Sequence, residues 1–173
     1  MLKYTKIIKA IRKIDWFVNK PSIYIDGMTS YKKMKECFIK KIGGVPGGWY
    51  NGNGIYIVDS AVRINSRVYY SGVSSPEVFF LFFKIYLIIH ELSHAQQKVN
   101  FKKYEVSKKY RNFIEFSNDS KSLEILEKNK AIFINMANSE FKKDVSFEFE
   151  SLIEEFKSRF NKPWLYEKRE DLW

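Results

Sequence analysis

Both histidines of this 173-residue chain lie in one five-residue string, His90-Glu91-Leu92-Ser93-His94. Residues four apart on a helix share a face about one turn apart, so the two imidazoles can bind one metal ion. A catalytic zinc site takes three protein ligands and keeps a fourth position for water, whose pKa the metal lowers to about 7. Glu91 is then placed to accept the proton of that water. The string therefore predicts one bound Zn²⁺ with Glu91 as general base.

The residues before this string predict a buried helix. Ser75 is a suitable N-cap, and Pro76 occupies the first helical position, where its missing N–H costs nothing. The run 78–89 that follows is apolar except for Lys84. Twelve residues are too few to cross a hydrocarbon core that needs about twenty. We therefore expect a core helix within 75–99 and no membrane span.

The chain resembles the zincin superfamily of metallopeptidases through His90, Glu91, His94 and the predicted strand-then-helix order before them. The resemblance implies hydrolysis of a peptide or protein substrate. The metzincin extension would need Gly and His where Gln97 and Asn100 stand. Because the chain has no third histidine, the remaining ligand is Asp or Glu, or less plausibly Cys37 or a tyrosine. This pattern indicates a gluzincin-like site.

The third ligand is predicted in a late helix that begins near Ser146. Gluzincins carry a ligand glutamate on a helix and, four positions on, an acid that bonds a metal-binding histidine. Glu150 and Glu154 match that order, so the resemblance implies that Glu150 binds the metal and Glu154 supports a histidine. Glu154 or Glu148 is the alternative ligand. The segment Glu148-Phe149-Glu150 is also similar to the acid-x-acid segment of small ImmA/IrrE-type peptidases of mobile elements.

A group that stabilises the oxyanion is also expected, because no further histidine can supply it. Four residues that lie soon after the motif or near the C-terminus are the candidates: Tyr104, Tyr110, Arg111 and Tyr166.

The whole pattern predicts a single α+β domain over 1–173, a compact zincin-like fold with a small twisted sheet and a helical C-terminal half. Helices and the sheet are expected in 1–72, the active-site helix in 75–99, and the helical part in 101–173. The predicted elements are a helix over 5–18, a strand over 22–26, a helix from Ser30 to Ile42, a glycine-rich loop over 43–54, strands over 55–58 and 62–70, two helices over 101–145 broken around 117–120, and the late helix from Ser146. One of the strands 55–58 and 62–70 is expected to present its edge to an extended substrate.

Composition limits the function classes. With 30 Lys and Arg against 20 Asp and Glu, the formal net charge is +10. The basic residues are scattered and accompany no nucleic-acid-binding motif, so a solvated surface is favoured over a nucleic-acid partner. The single cysteine, Cys37, excludes an intrachain disulfide, and no signal-peptide pattern is present, so we expect a cytoplasmic protein. Association with a virus particle stays an alternative, as does a catalytically inactive zincin-fold binding protein. The oligomeric state stays open.

Overall fold

The computed structural model describes residues 3–25, 47–97 and 100–160. Within them the elements are α1 (Tyr4–Ile11), β1 (Ser22–Ile25), β2 (Gly48–Tyr50), β3 (Gly54–Ile57), α2 (Asp59–Tyr69), α3 (Pro76–Gln96), α4 (Phe101–Val106), α5 (Lys108–Lys128), α6 (Lys130–Phe141) and α7 (Ser146–Phe160). The α+β class is confirmed: a small mixed sheet accompanies seven helices in the described part of the chain. The predicted helix from Ser30 to Ile42 lies outside the described residues.

The central element is α3, which carries the histidine string. It begins as predicted, because the Ser75 side chain accepts a hydrogen bond from the Val78 N–H and Pro76 follows directly. Helices α2, α5 and α7 and strand β2 pack around it. It is long and apolar enough to span a membrane, but 89% of its most apolar window is buried inside the protein. That burial is what a core helix of the domain requires.

The sheet has the order β1-β3-β2, with β1 parallel and β2 antiparallel to β3. The expected loop over 43–54 is wrong from Gly48 onward, because β2 and β3 form a tight hairpin there. Asn51 closes the hairpin, since its side-chain oxygen accepts hydrogen bonds from the backbone N–H groups of Asn53 and Gly54. The strand predicted over 55–58 is confirmed as β3.

The strand predicted over 62–70 is wrong, because this segment forms α2. Its alternating β-branched residues resemble a strand, but the side chains that it buries follow a helical repeat, Val62 and Ser66. Asp59 strengthens the first turn through a 2.8 Å ion pair with Arg63 one turn later. Tertiary burial thus outweighs the local β-propensity of the segment.

Two further predicted boundaries are corrected. The first helix ends at Ile11 instead of residue 18, although Ile14 and Phe17 in the following turns are still buried. No break occurs at 117–120, because α5 runs continuously from Lys108 to Lys128. The late helix predicted from Ser146 is confirmed as α7.

Candidate metal centre

The two histidines lie on the face of α3 that packs against α5. Their Nε2 atoms are 3.2 Å apart, and their ring planes meet at 75°. Small side chains allow the two helices to approach here: Ser93 and Ser122 are fully buried, with their Oγ atoms 3.5 Å apart. The motif predicted from sequence therefore lies on a helix, and its two imidazoles come together at one position.

Glu115 on α5 completes the group. Its Oε2 lies 3.2 Å from His90 Nε2, and its Oε1 lies 3.4 Å from His94 Nε2. One ligand atom from each of these three residues lies within 4.8 Å of the others. Two imidazole nitrogens and one carboxylate that leave a position for water form the donor set of a catalytic zinc site. The residues present therefore fit the predicted ion.

The electrostatics of this group favour positive charge between the three side chains. Burial lowers the pKa of His90, but the nearby carboxylates of Asp119 and Glu115 outweigh it and hold that pKa well above its usual range. Burial would raise the pKa of Glu115, yet the two histidines hold it well below its usual range. A cation would take the place of the shared protons and satisfy the same carboxylate.

His90 is oriented from its other nitrogen. Its Nδ1 lies 2.7 Å from Oδ1 of Asp119, one turn after Glu115 on α5. The hydroxyl of Tyr86 also donates to Oδ1 of Asp119. Such an acceptor fixes the ring and raises the basicity of the nitrogen that faces a metal.

Glu91 is 5% exposed and lies beneath strand β2. A Cβ atom on Gly48 would come within 3.1 Å of Glu91 Cγ and 2.9 Å of Ile57 Cδ1, so a side chain there would require a neighbouring side chain to move. Burial raises the pKa of Glu91, while the two histidines and a backbone hydrogen bond from Tyr50 oppose that rise. The geometry places this carboxylate between the candidate metal site and the edge of the sheet.

Of the proposed oxyanion groups, Tyr104 is the one that the structure brings to the centre. Its hydroxyl donates a hydrogen bond to Oε1 of Glu115, and its ring lies 6.4 Å from the ring of His94. Burial and the carboxylate of Glu115 raise the pKa of Tyr104, so the hydroxyl keeps its proton. Arg111 donates from Nε to the backbone oxygen of Tyr104. Tyr110 accepts from the backbone N–H of Asn100, and Tyr166 lies outside the described residues.

The acids predicted on the late helix lie elsewhere. Glu150 is 49% exposed along its side chain and lies 2.8 Å from Lys130, and Glu154 is 70% exposed and lies 3.1 Å from Lys157. Glu148 is 3.6 Å from Lys143. The structure does not bring Glu150 or Glu154 to the histidines, because these side chains form ion pairs with lysines on the solvent side of α7.

The sequence does contain a signal for the two acids that the structure places beside the histidines. Glu115 and Asp119 show the same order of a glutamate and an acid four positions later, 21 residues after His94. The cluster Ser117-Asn118-Asp119-Ser120 instead indicated a turn, since such residues are common in turns. In the structure two of these side chains contact the histidines of α3 instead: Asp119 lies beside His90, and Asn118 lies beside His94.

Comparisons of the chain with protein-family models, with curated proteins and with solved structures found no match. The interpretation of the centre therefore depends on the residues and their geometry.

Proposed function

We propose that the protein is a zinc-dependent metallopeptidase of the gluzincin type. The observation that carries the proposal is the convergence of His90, His94 and Glu115 beside the buried carboxylate of Glu91. The acid Asp119, four residues after Glu115, supports it, since it contacts a metal-facing histidine as the gluzincin resemblance implies.

His90, His94 and Glu115 would hold the ion. A bound Zn²⁺ would supply a Lewis acid that polarises the scissile carbonyl and lowers the pKa of a neighbouring water. Glu91 accepts a proton from the attacking water and then donates it to the leaving amine.

The substrate backbone would bind along β2. This strand pairs with β3 on one side only in the described sheet, and its residue Gly48 touches Glu91. An extended peptide can add a strand to such an edge through main-chain hydrogen bonds. The proposed substrate-binding edge is therefore β2, since segment 55–58 forms the central strand β3 and segment 62–70 lies largely in helix α2. Tyr104 is the group that would donate to the developing oxyanion.

The proposal is tested by metal analysis and peptide cleavage on protein prepared without chelator. We expect near-stoichiometric zinc, lost in His94→Ala, and hydrolysis of a peptide library. Glu91→Gln should keep zinc but lose about 10²- to 10⁴-fold in turnover. Glu77→Gln, the same change on the exposed first turn of α3, is the control and should keep both properties. Undiminished turnover in zinc-loaded Glu91→Gln would defeat the mechanism.

A second candidate is a catalytically inactive zincin-fold protein that acts in binding or in a viral or mobile-element assembly. The low exposure of the site favours it, because His90 is 8% exposed and Glu91 only 5%. Stoichiometric zinc without cleavage of any peptide in the library would support this candidate over the peptidase.

A further inference from the structure

The second histidine of the motif, His94, has a different partner from the first. Its Nδ1 lies 2.7 Å from the side-chain amide of Asn118, which is completely buried. The same amide lies 2.7 Å from the side-chain nitrogen of Gln97, which also lies 3.3 Å from the Ser117 hydroxyl. These contacts form one chain of hydrogen bonds from His94 through Asn118 and Gln97 to Ser117.

Which group donates and which accepts in each of these hydrogen bonds depends on which nitrogen of His94 carries the proton. In the structure the amide nitrogen of Asn118 faces His94 Nδ1, and its oxygen faces Gln97. Because the amide nitrogen of Asn118 can only donate, His94 Nδ1 accepts this hydrogen bond. The ring proton of His94 is then on Nε2, the atom that faces Glu115. An imidazole that binds a cation through Nε2 must instead carry its proton on Nδ1 and donate it.

Metal binding therefore requires donors and acceptors to be exchanged in the hydrogen bonds that link His94, Asn118 and Gln97. Asn118 must present its oxygen to His94, so its nitrogen must donate to an oxygen of Gln97, and the Ser117 hydroxyl then donates to that same oxygen. Amide oxygen and nitrogen are nearly the same size, so a half-turn of each amide plane makes the exchange with little heavy-atom movement. After the exchange each of the three contacts, His94 to Asn118, Asn118 to Gln97 and Gln97 to Ser117, still pairs one donor with one acceptor.

We propose that Asn118 is a positioning residue for the metal centre: with Gln97 it holds His94 in the Nδ1–H tautomer, and metal binding reverses the hydrogen bonds from His94 to Gln97. This inference rests on the proposed function only in that His94 binds metal, and it does not depend on hydrolysis. Under this proposal the two histidine ligands are supported differently: His90 contacts the carboxylate of Asp119, and His94 contacts the neutral amide of Asn118.

The outer end of the chain is open to water. Gln97 and Ser117 line a surface groove together with Trp16 and Phe116. Water there can replace the contact that Gln97 makes, whereas nothing comparable reaches the buried Asn118. Removing the Gln97 amide should therefore weaken metal binding less than removing the Asn118 amide.

The test is zinc affinity, measured by competition with a chromophoric chelator, in Asn118→Leu, Asn118→Asp and Gln97→Leu. We expect Asn118→Leu to bind zinc about 10- to 100-fold more weakly. Asn118→Asp should bind at least as tightly as the parent, because a carboxylate can only accept from His94 Nδ1. Asn138→Leu, which removes an amide that accepts from the Val145 N–H far from the centre, is the control for lost stability and should keep parental affinity.

A histidine ¹H–¹⁵N long-range spectrum of the zinc-loaded parent gives a second readout that a packing role would not move. We expect a protonated Nδ1 on His94 with zinc bound. Parental zinc affinity in a folded Asn118→Leu protein, or an unprotonated His94 Nδ1 in the zinc form, would overturn this inference but not the proposed function. If Asn118→Leu does not fold, weaker zinc binding by Asn118→Asp would overturn it. A parent protein that binds no zinc would defeat both this inference and the proposed function.

Discussion

His90 Nδ1 lies 2.7 Å from Asp119 Oδ1, so α5 contacts the first motif histidine at both of its nitrogens. Glu115 and Asp119 are one turn apart on α5, as His90 and His94 are on α3. Matching one-turn spacings on two packed helices let a single helix crossing bring together the three candidate ligands and the carboxylate beside one of them.

The contact with Asp119 should govern metal affinity. Replacing Asp119 by Ala removes the acceptor that orients His90, and we expect zinc affinity to fall by about 10- to 100-fold. The Tyr86 hydroxyl also loses the carboxylate of Asp119 to which it donates. Asp15→Ala, at an exposed position, is the control in the same chelator competition. Unchanged affinity in Asp119→Ala would remove the support that we assign to it.

The carboxylate that binds metal can be identified by a matched pair of substitutions. Glu115→Gln keeps the size of the side chain but removes the negative charge between the two imidazoles, so stoichiometric zinc should be lost. Glu150→Gln breaks only an exposed pair with Lys130 and should keep a full complement of zinc. Elemental mass spectrometry distinguishes the variants, and the reverse result would restore the ligand predicted from sequence.

The approach of β2 to Glu91 should make Gly48 intolerant of a side chain. In Gly48→Ala the new Cβ would lie 2.9 Å from Ile57 Cδ1 and 3.1 Å from Glu91 Cγ, so one of them must move. We expect a loss of about 1–3 kcal/mol in the free energy of unfolding, together with impaired hydrolysis.

The control for this substitution is Gly72→Ala. Gly72 has a φ of 84° and no atom within 4 Å of a new Cβ, so alanine there strains only the backbone. Thermal unfolding should show both variants to be destabilised, but only Gly48→Ala should lose turnover beyond the loss of folded protein. Equal specific activities would contradict the role of the strand.

Tyr104 should act on the transition state more than on substrate binding. Tyr104→Phe removes the hydroxyl near the centre, and we expect kcat to fall by about 10²- to 10³-fold with KM little changed. Tyr110→Phe removes a hydroxyl that meets the backbone N–H of Asn100 instead, so its kcat should stay close to that of the parent. A change confined to KM in Tyr104→Phe would assign this tyrosine to substrate binding.

A second charge cluster, partly buried and outside the candidate metal centre, should govern acid stability. Asp59 accepts hydrogen bonds from Tyr4 and Arg63 and lies 3.9 Å from the buried amine of Lys84. Burial opposes ionisation of Asp59, but these partners outweigh it and hold its pKa below the ordinary value of 3.8. Since the folded pKa is depressed, this carboxylate stabilises the fold above pH 3.8 and loses that effect as pH falls through the folded pKa.

Asp59→Asn should therefore cost about 1–3 kcal/mol at neutral pH, measured by urea unfolding. The difference from the parent should shrink as pH falls below 3.8, because the parent's Asp59 then becomes neutral as well. Glu124→Gln, which affects only exposed pairs with Lys121 and Lys128, should cost less than about 1 kcal/mol at neutral pH. A difference for Asp59→Asn that stays constant down to pH 2 would exclude the charge of Asp59 as the cause.

Local signals predicted the parts of the molecule that local physics controls. The start of α3 depends on Ser75 and Pro76, which act on the helix end beside them, so its position was predictable. The burial of α3 follows from an apolar run that no solvated helix would carry, and the spacing of His90 and His94 follows from helix geometry. Strand β3 and helix α7 were also predictable, because local sequence signals within each segment indicate its structure.

Contacts between distant segments decided the rest. Val62 and Ser66 lie four residues apart, so both are buried on one side when the segment forms a helix, as it does in α2, which packs on α3. Asn118 and Asp119 resemble turn residues until two histidines from another helix meet them. Glu115 and Glu150 are each followed four positions later by an acid, and sequence spacing alone cannot separate them. Only the crossing of α3 and α5 brings Glu115 to the imidazoles, whereas Glu150 on α7 faces solvent and Lys130. An ion needs ligands that are close in space, and closeness in space between distant segments is decided by tertiary packing.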